Sequence, residues 1–413
     1  MSVLDIDRIR SQFPSLQQQL NRNPIVFLDA PGGTQVPQRV IDAMRDYFVY
    51  SNANTHGAFL TSRRTDEVTT AAHAAVADLL GCERNEVVFG PNMTTLTFAL
   101  SRTLGGEIRS GDEIVVTHLD HNANIAPWVA LEERGAVVRF ADIHLQDCTL
   151  NMESLKAQLN KRTRLVAVGY AANAVGTIND VAEVVRLAHS VGAWSFIDAV
   201  HYAPHGAIDV RALDCDFLAC SSYKFFGPHC GVLFAKREHL EKLRPYKVRP
   251  APEAIPSRWE TGTQNHEGQA GVTAAIEYLA ELGRSVSPRA EGRRDQLISA
   301  YDAIRAYERG LSERLIKGLL AIPGLTFYGI REPGRFDQRT PTVAIRIEGR
   351  TPRQIAEYLG DRGIFTMDGN YYAINLTERL GIESSGGTLR IGLVHYNTVE
   401  EIDRLLELLG ALN

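Results

Sequence analysis

Between residues 65 and 235 the chain alternates two hydrophobic patterns. Apolar residues at helical spacing mark 65–80, 94–104, 123–134, 151–160 and 180–191. Between them lie short apolar runs rich in branched and aromatic residues: EVVF (86–89), EIVVT (113–117), AVVRF (136–140), RLVAVGY (164–170), WSFID (194–198) and DFLAC (216–220), with GVLFA (231–235) following. Strands that are apolar almost throughout have no face to give to water. They predict a mostly parallel sheet covered by helices on both sides, a doubly wound α/β arrangement.

The flanks read differently. From Asp5 to about Leu20, Ile6, Ile9 and Phe13 fall at helical spacing and predict a short amphipathic helix. IVFLDAPGGTQVP then reads as a strand end running into a tight loop at Pro31-Gly32-Gly33. Four prolines within PYKVRPAPEAIPS (245–257) predict an irregular surface loop. A long helical stretch, about 268–321, precedes LTFYGI (325–330), TVAIRI (342–347) and TLRIGLV (388–394), which are again separated by a helix. The last helix starts at Thr398 with Glu401 three residues on, a capping box. These patterns predict an N-terminal helix within 1–20 packed on a small domain, a large domain over 21–285, and a smaller α+β domain over 286–413.

A chain of 413 residues is too long for one ordinary core, which agrees with two domains. Apolar (44%) and charged (23%) contents are ordinary globular values, and the net charge of -5 is spread without blocks. No basic run interleaved with aromatics is present, so nucleic acid is not an expected partner. The start, MSVLDIDRIR, lacks an apolar leader, and no apolar run is long enough to span a bilayer. Five cysteines, with no C-x-x-C pair, predict neither a disulfide framework nor a metal site, and point to a reducing, cytoplasmic setting.

Two strand ends carry candidate chemistry. Asp198 closes WSFID, where a carboxylate is costly to desolvate without a partner. Read alone, it is an N-cap for the next helix. Lys224 follows the next strand, among Tyr223, Phe225 and Phe226, which would lower its pKa. Read alone, it is a snorkelling surface lysine. Together, an acid ending one strand and an amine just after the next suit pyridoxal phosphate (PLP). PLP needs a lysine for its aldehyde, a carboxylate for its pyridine nitrogen, a flat partner for its ring, and N–H and hydroxyl donors at a helix start for its phosphate. In an α/β sheet such groups come from the carboxyl ends of strands.

Longer motifs bear this out. Asp198-Ala-Val-His201-Tyr-Ala-Pro-His205 resembles the D-G-A-Q-x-x-P-H run of cysteine desulfurases, and Ser221-Ser-Tyr223-Lys224-Phe-Phe-Gly227-Pro228 resembles their S-G-H-K-x-x-G-P run. Asp120 to Trp128 is similar to E-H-H-A-N-I-V-P-W, Ala172 to Asn179 to S-N-V-L-G-T-I-N, and Thr261 to Asn265 to A-G-T-P-N. Arg390 opens a segment like R-A-S-L-x-x-Y-N. In this order and spacing, the motifs identify a resemblance to the class V aminotransferase group of fold-type I PLP enzymes over nearly the whole chain.

The resemblance implies roles position by position. Lys224 holds the cofactor as a Schiff base and shuttles protons, and Asp198 pairs with the pyridine nitrogen. His121 stacks on the ring, Asn173 lies near the phenolic oxygen, and His201, where the family has Gln, donates to that oxygen. Met93, Thr94, Ser221 and Tyr223 contact the phosphate, with Tyr223 replacing a His. Thr263 reaches the phosphate of a neighbouring subunit, so a homodimer is implied. Arg390 clamps a substrate α-carboxylate, with Gly33 and Tyr372 beside the substrate. Taken singly, His121 is a loop histidine, Thr94 an N-cap, and Arg390 a partner for a structural acid.

One departure bears on the reaction. Family members keep a nucleophilic cysteine in a stretch like G-I-A-V-R-T-G-H-H-C-A. Here the stretch is Gly363 to Ala373, and Tyr372 takes the cysteine's place. A phenol with a pKa of about 10 cannot serve as a persulfide-forming thiolate. Asn54 to Phe59 also departs from the R-G-V-H run, and the segment after Pro228 is one residue short. The expected function is Cα deprotonation of a small amino acid followed by C–S cleavage of a cysteine- or cystine-type substrate. Epimerisation, transamination and PLP binding without turnover are the alternatives.

Overall fold

The computed structural model describes residues 4–412; residues 1–3 and 413, at the ends of the first and last predicted segments, lie outside the described residues. The central sheet has seven strands: β1 (Val87–Gly90), β2 (Glu113–Thr117), β3 (Val137–Ala141), β4 (Thr163–Gly169), β5 (Trp194–Asp198), β6 (Phe217–Ser221) and β7 (Gly231–Ala235). Their order is β1-β7-β6-β5-β4-β2-β3. β7 runs antiparallel to both its neighbours, and the other pairings are parallel.

Apart from the edge strand β3, where Val137 and Arg139 are exposed, the apolar strands are buried on both faces, and alternate residues serve different cores. Phe89, Val115, Val166, Ile197 and Leu218 join one apolar cluster, while Val88, Ile114, Leu165, Phe196 and Phe217 join the other. Packing against the two faces are helices that include α1 (Leu60–Leu80), α2 (Met93–Leu104), α3 (Met152–Gln158) and α4 (Val181–Ser190). The predicted 123–134 helix is broken: Asn122–Asn124 and Ala130–Arg134 are 3₁₀ turns around a four-residue helix, Ala126–Val129, that carries Pro127.

The predicted 268–321 helix is two helices, α5 (His266–Val286) and α6 (Gly292–Leu320). Pro288 lacks an N–H and bars helical geometry at Ser287, which ends α5. The two then fold back so closely that a Cβ on Gly283 would collide with the backbone at Gln296. Leu297, Ala300 and Ile304 of α6 belong to the large core cluster, whereas Leu311, Leu315 and Leu319 belong to a third cluster.

That third cluster fills a small antiparallel sheet of order β8-β9-β11-β10: β8 (Leu325–Tyr328), β9 (Thr342–Ile347), β10 (Met367–Gly369) and β11 (Thr388–Gly392). Helices Pro352–Gly360 and Val399–Gly410 cover it, the latter with the expected Thr398–Glu401 capping box. Strand β10 is absent from the apolar pattern and forms by pairing with β11.

At the N-terminus the helix is short, Ile6–Ser11, and a 3₁₀ turn at Pro14–Gln17 follows it. It packs in two directions. Ile9, Phe13 and Leu16 join the large cluster, and Phe13 meets Phe226, Tyr278 and Tyr396 edge-on. Arg10 reaches the other way, to Glu401 at 2.9 Å. The segment therefore touches both the large apolar cluster and the helix Val399–Gly410. No helix among the described residues is long and apolar enough to cross a membrane.

Candidate active site

The carboxyl ends of β4, β5 and β6 meet the N-terminus of α2 and the small sheet at one cavity of about 260 Å³. Asp198 ends β5 and is 8% exposed, with Oδ1 accepting the Val200 N–H at 2.9 Å. No helix starts there; the next, Val210–Leu213, is capped by Asp209, so an N-cap role for Asp198 is out. Burial pushes its pKa up to about 6.

Lys224 ends a 3₁₀ turn, Ser222–Lys224, directly after β6. Its ammonium donates to the Pro31 carbonyl and lies 4.7 Å from the centre of the Tyr223 ring. Burial and then the Arg390 charge draw its pKa down to about 7, partly opposed by Asp198 and Asp29. A lysine poised near neutrality beside a buried acid is a marked departure from ordinary values.

Arg390, on β11, is 4% exposed and forms no ion pair among the described residues. Its Nη1 donates to the Asn173 carbonyl at 3.0 Å, its guanidinium lies 4.2 Å from the Tyr371 ring centre, and its Nε has no partner. Burial lowers its pKa to about 10. A buried guanidinium without an ion-pair partner among the described residues is expensive, and its donor geometry suits a carboxylate. A structural acid for Arg390, the alternative from sequence, is not there.

At the opposite wall, α2 begins at Met93. Asn92, not Thr94, is its N-cap, with Oδ1 accepting the Thr95 N–H at 2.8 Å, while Ser221 Oγ accepts the Met93 N–H at 3.0 Å. Thr94 thus lines the cavity at a helix N-terminus beside Ser221 and Tyr223, a donor set suited to a phosphate. His121 Nδ1 accepts the Ala123 N–H at 3.0 Å, and burial with the Lys224 charge lowers its pKa to about 4, so the ring is neutral. Asn173 donates to the Tyr371 carbonyl at 2.9 Å and leaves Oδ1 buried and unpartnered. His201 also lines the cavity.

Two expected residues stand outside. The Gly33 backbone faces the Tyr223 ring, where a Cβ would lie 3.3 Å from Cδ2, and it is Gly32 that lines the cavity. Thr263 is exposed and does not line this chain's cavity. Several lining residues were missed from sequence. Asp120 is sealed, with the Gly169 N–H on Oδ1 at 2.9 Å and Asn124 on Oδ2 at 3.0 Å; burial raises its pKa to about 7. Its only sequence signal is its place next to His121. Met367, Tyr371, Asn92 and Pro31 complete the wall.

Residues 26–405 match the family described as Aminotransferase class-V. The chain belongs to that family. It is 32% identical to the cysteine desulfurase of Enterobacter sp. (strain 638), over 97% of this chain and 96% of that protein. The fold resembles an apo cysteine desulfurase from Thermococcus onnurineus NA1, with a TM-score of 0.88 and 25% identity over 100% of this chain and 98% of that one. The cysteine desulfurase CsdA from Escherichia coli, in its S-sulfonic acid form, gives a TM-score of 0.85 at 27% identity, covering 99% and 98%. As a class-V aminotransferase family member the chain is a PLP-dependent enzyme of fold type I. The cavity fits the cofactor chemically: a near-neutral lysine, a buried carboxylate in need of a cation, a helix N-terminus and a neutral imidazole share one space.

Proposed function

We propose that the protein cleaves the C–S bond of a cysteine- or cystine-type amino acid by elimination, with PLP as cofactor and without a protein thiol. The observation that carries the elimination reading is the cavity wall: no cysteine lines it, and Tyr372 stands where the nucleophile would. Cys148, Cys215, Cys220 and Cys230 are buried. Burial pushes the Cys148, Cys220 and Cys230 thiols up to about 12 and raises those of Cys82 and Cys215 further, so none is a thiolate near neutrality.

Lys224 would hold the cofactor, Asp198 its ring nitrogen, His121 its face, and Met93, Thr94, Ser221 and Tyr223 its phosphate. Bound there, PLP supplies a sink for the electron pair left when a Cα–H bond breaks. Arg390 takes the substrate carboxylate and so turns the Cα–H bond toward Lys224, whose amine accepts that proton. Asp198 keeps a positive charge on its partner nitrogen, since a carboxylate sealed in this pocket is stable only beside a cation. Overall, cysteine and water give pyruvate, ammonia and hydrogen sulfide.

The same reading includes a homodimer in which the exposed Thr263 reaches the partner's phosphate site, a small domain over 286–413 that carries the carboxylate clamp, and a cytoplasmic location suited to five unpaired thiols. The test incubates PLP-loaded protein with cysteine and with cystine, with and without reductant. Pyruvate and ammonia in equal amounts and no alanine are expected, with sulfide released from cysteine and, from cystine, a cysteine persulfide that yields sulfide only when reductant is present. Alanine with a protein-bound persulfide would overturn the reading.

A further inference from the structure

We infer that Thr340, which lies outside the cavity, fixes the tautomer of His201 so that this ring presents a lone pair, not an N–H, to whatever occupies the cavity. The inference rests on the reading that PLP binds there, and it reverses the donor role expected of His201 from sequence.

His201 is 4% exposed. Burial, then the charges of His205, Arg390 and Lys224, holds its pKa well below the usual value, so the ring is neutral and carries one proton. Nε2 lies 3.1 Å from Thr340 Oγ1. Among the described residues Nδ1 has no hydrogen-bond partner, and it is not a sealed atom; with Nε2 turned to Thr340 and His201 lining the cavity, we place Nδ1 on the cavity side.

The question is which nitrogen holds the proton, and Thr340 decides it. Its hydroxyl has one proton and two acceptors in reach, His201 Nε2 and the Gly176 carbonyl at 3.3 Å. If the hydroxyl donates to Gly176, its oxygen is free to accept from Nε2–H, and both contacts are hydrogen bonds. If it donates to Nε2, the contact with Gly176 is lost. The Gly176 carbonyl takes the Thr340 N–H at 2.8 Å and has a second lone pair for the hydroxyl. Gly176 is fixed close by: its φ is +81°, and a Cβ there would lie 3.0 Å from the Thr340 carbonyl.

Electrostatics agrees. The charged and titratable groups facing the ring are His205 from its own segment, Arg390 from β11 and Lys224 from the turn after β6. The His205 ring lies edge-on to His201, centres 5.5 Å apart, with its Nδ1 2.8 Å from Glu308. Cations at the cavity side favour a lone pair there over an N–H. Thr340 is therefore a positioning residue. At the position where the resemblance implies a donor amide, this chain would offer an acceptor, able to take a hydrogen bond from a protonated hydroxyl of a bound cofactor.

The test reads the tautomer directly. Two-bond ¹H–¹⁵N spectra of histidine-labelled, cofactor-free protein separate the protonated from the bare ring nitrogen, with His201 assigned by its loss in His201→Asn. Wild type should show Nε2–H. Thr340→Val should weaken that preference by about tenfold, the worth of one ordinary hydrogen bond, and Thr340→Ser should restore it. An Nδ1–H tautomer in wild type, or no change in Thr340→Val, overturns the inference. In the loaded protein, His201→Gln, which restores a donor, should lower the pH at which the visible cofactor band titrates; an unchanged midpoint also overturns it. Failure of wild type to form that band with PLP defeats the cofactor reading instead, and leaves the tautomer result standing.

Discussion

In the cofactor-free protein, Lys224 should be reactive as a neutral amine near pH 7. A lysine at the ordinary value of 10.5 is neutral at pH 7 in about one molecule in three thousand, whereas one drawn down to about 7 is neutral in about half. The gain in reactive amine is on the order of a thousandfold. Burial is the largest cause, Arg390 lowers the value further, and Asp198 and Asp29 raise it. Two substitutions should therefore move the midpoint in opposite directions. Arg390→Gln removes a lowering influence and should raise it; Asp198→Asn removes a raising one and should lower it. The assay is pulse acylation with acetic anhydride from pH 5 to 11, with each lysine followed by peptide mass spectrometry. The Lys224 profile should level off just above pH 7 while surface lysines climb past pH 10. A Lys224 profile that climbs with the others refutes the reasoning, as do variants that both shift one way.

The same lowered value makes Lys224 a cost to the apoprotein fold. Between pH 7 and 10.5 the unfolded chain holds the lysine proton and the folded one does not, so stability rises with pH across that window. Lys224→Met should accordingly raise Tm at pH 7, by up to a few kcal/mol of stability, with the gain fading as pH approaches 10.5. Arg390→Gln should cut kcat/KM for an amino-acid substrate by about a hundredfold or more, since a bidentate pair supplies two charge-assisted hydrogen bonds; Arg390→Lys should recover only part. Tyr371 and Tyr372 have φ of +56° and +61° in succession, each costing about 1 kcal/mol. Tyr372→Gly should therefore hold or raise Tm while raising KM, and a fall of several degrees would show that the Tyr372 ring contributes more than its backbone costs.

The sheet was legible because its strands are apolar on both faces, a pattern few other arrangements produce, and because the acid and the amine close neighbouring strands. Partner choice is not written that way. That β7 inserts between β1 and β6 is a choice made across the sheet, where Gly231 passes so close to the Asn92 backbone that a Cβ would collide. Strand β10, Met367–Gly369, exists because β11 offers an edge, so no alternation of its own announces it. Asp120 carries no local sign of its role, because one of its oxygens is met by the Gly169 N–H, 49 residues away. For His201 the resemblance implies a donor, by analogy with an amide, and the sequence is silent on its ring's protonation. A ring nitrogen's role depends on its partner, and that partner, Thr340, is 139 residues distant.

The loss of the cysteine can be read from one letter, but its consequence depends on how the segment is held. The Tyr372 carbonyl accepts the Asn122 N–H at 2.7 Å, the Tyr371 carbonyl accepts from Asn173 at 2.9 Å, and Tyr371 Oη donates to the Thr388 carbonyl. Tyr372 also lies over His121, ring centres 5.3 Å apart. A nucleophile that must accept sulfur and then hand it on needs a segment free to swing between two positions. This one is tied at both tyrosines to the walls of the cavity, and releasing it breaks at least three hydrogen bonds at about 1 kcal/mol each. Placing a thiol there by Tyr372→Cys leaves the two carbonyl ties in place, so that variant should form no protein persulfide with cysteine. Adding Asn173→Ala, which removes one tie, should be needed before any protein persulfide can be detected by mass spectrometry. Persulfide in the single variant would show that the ties do not hold the segment.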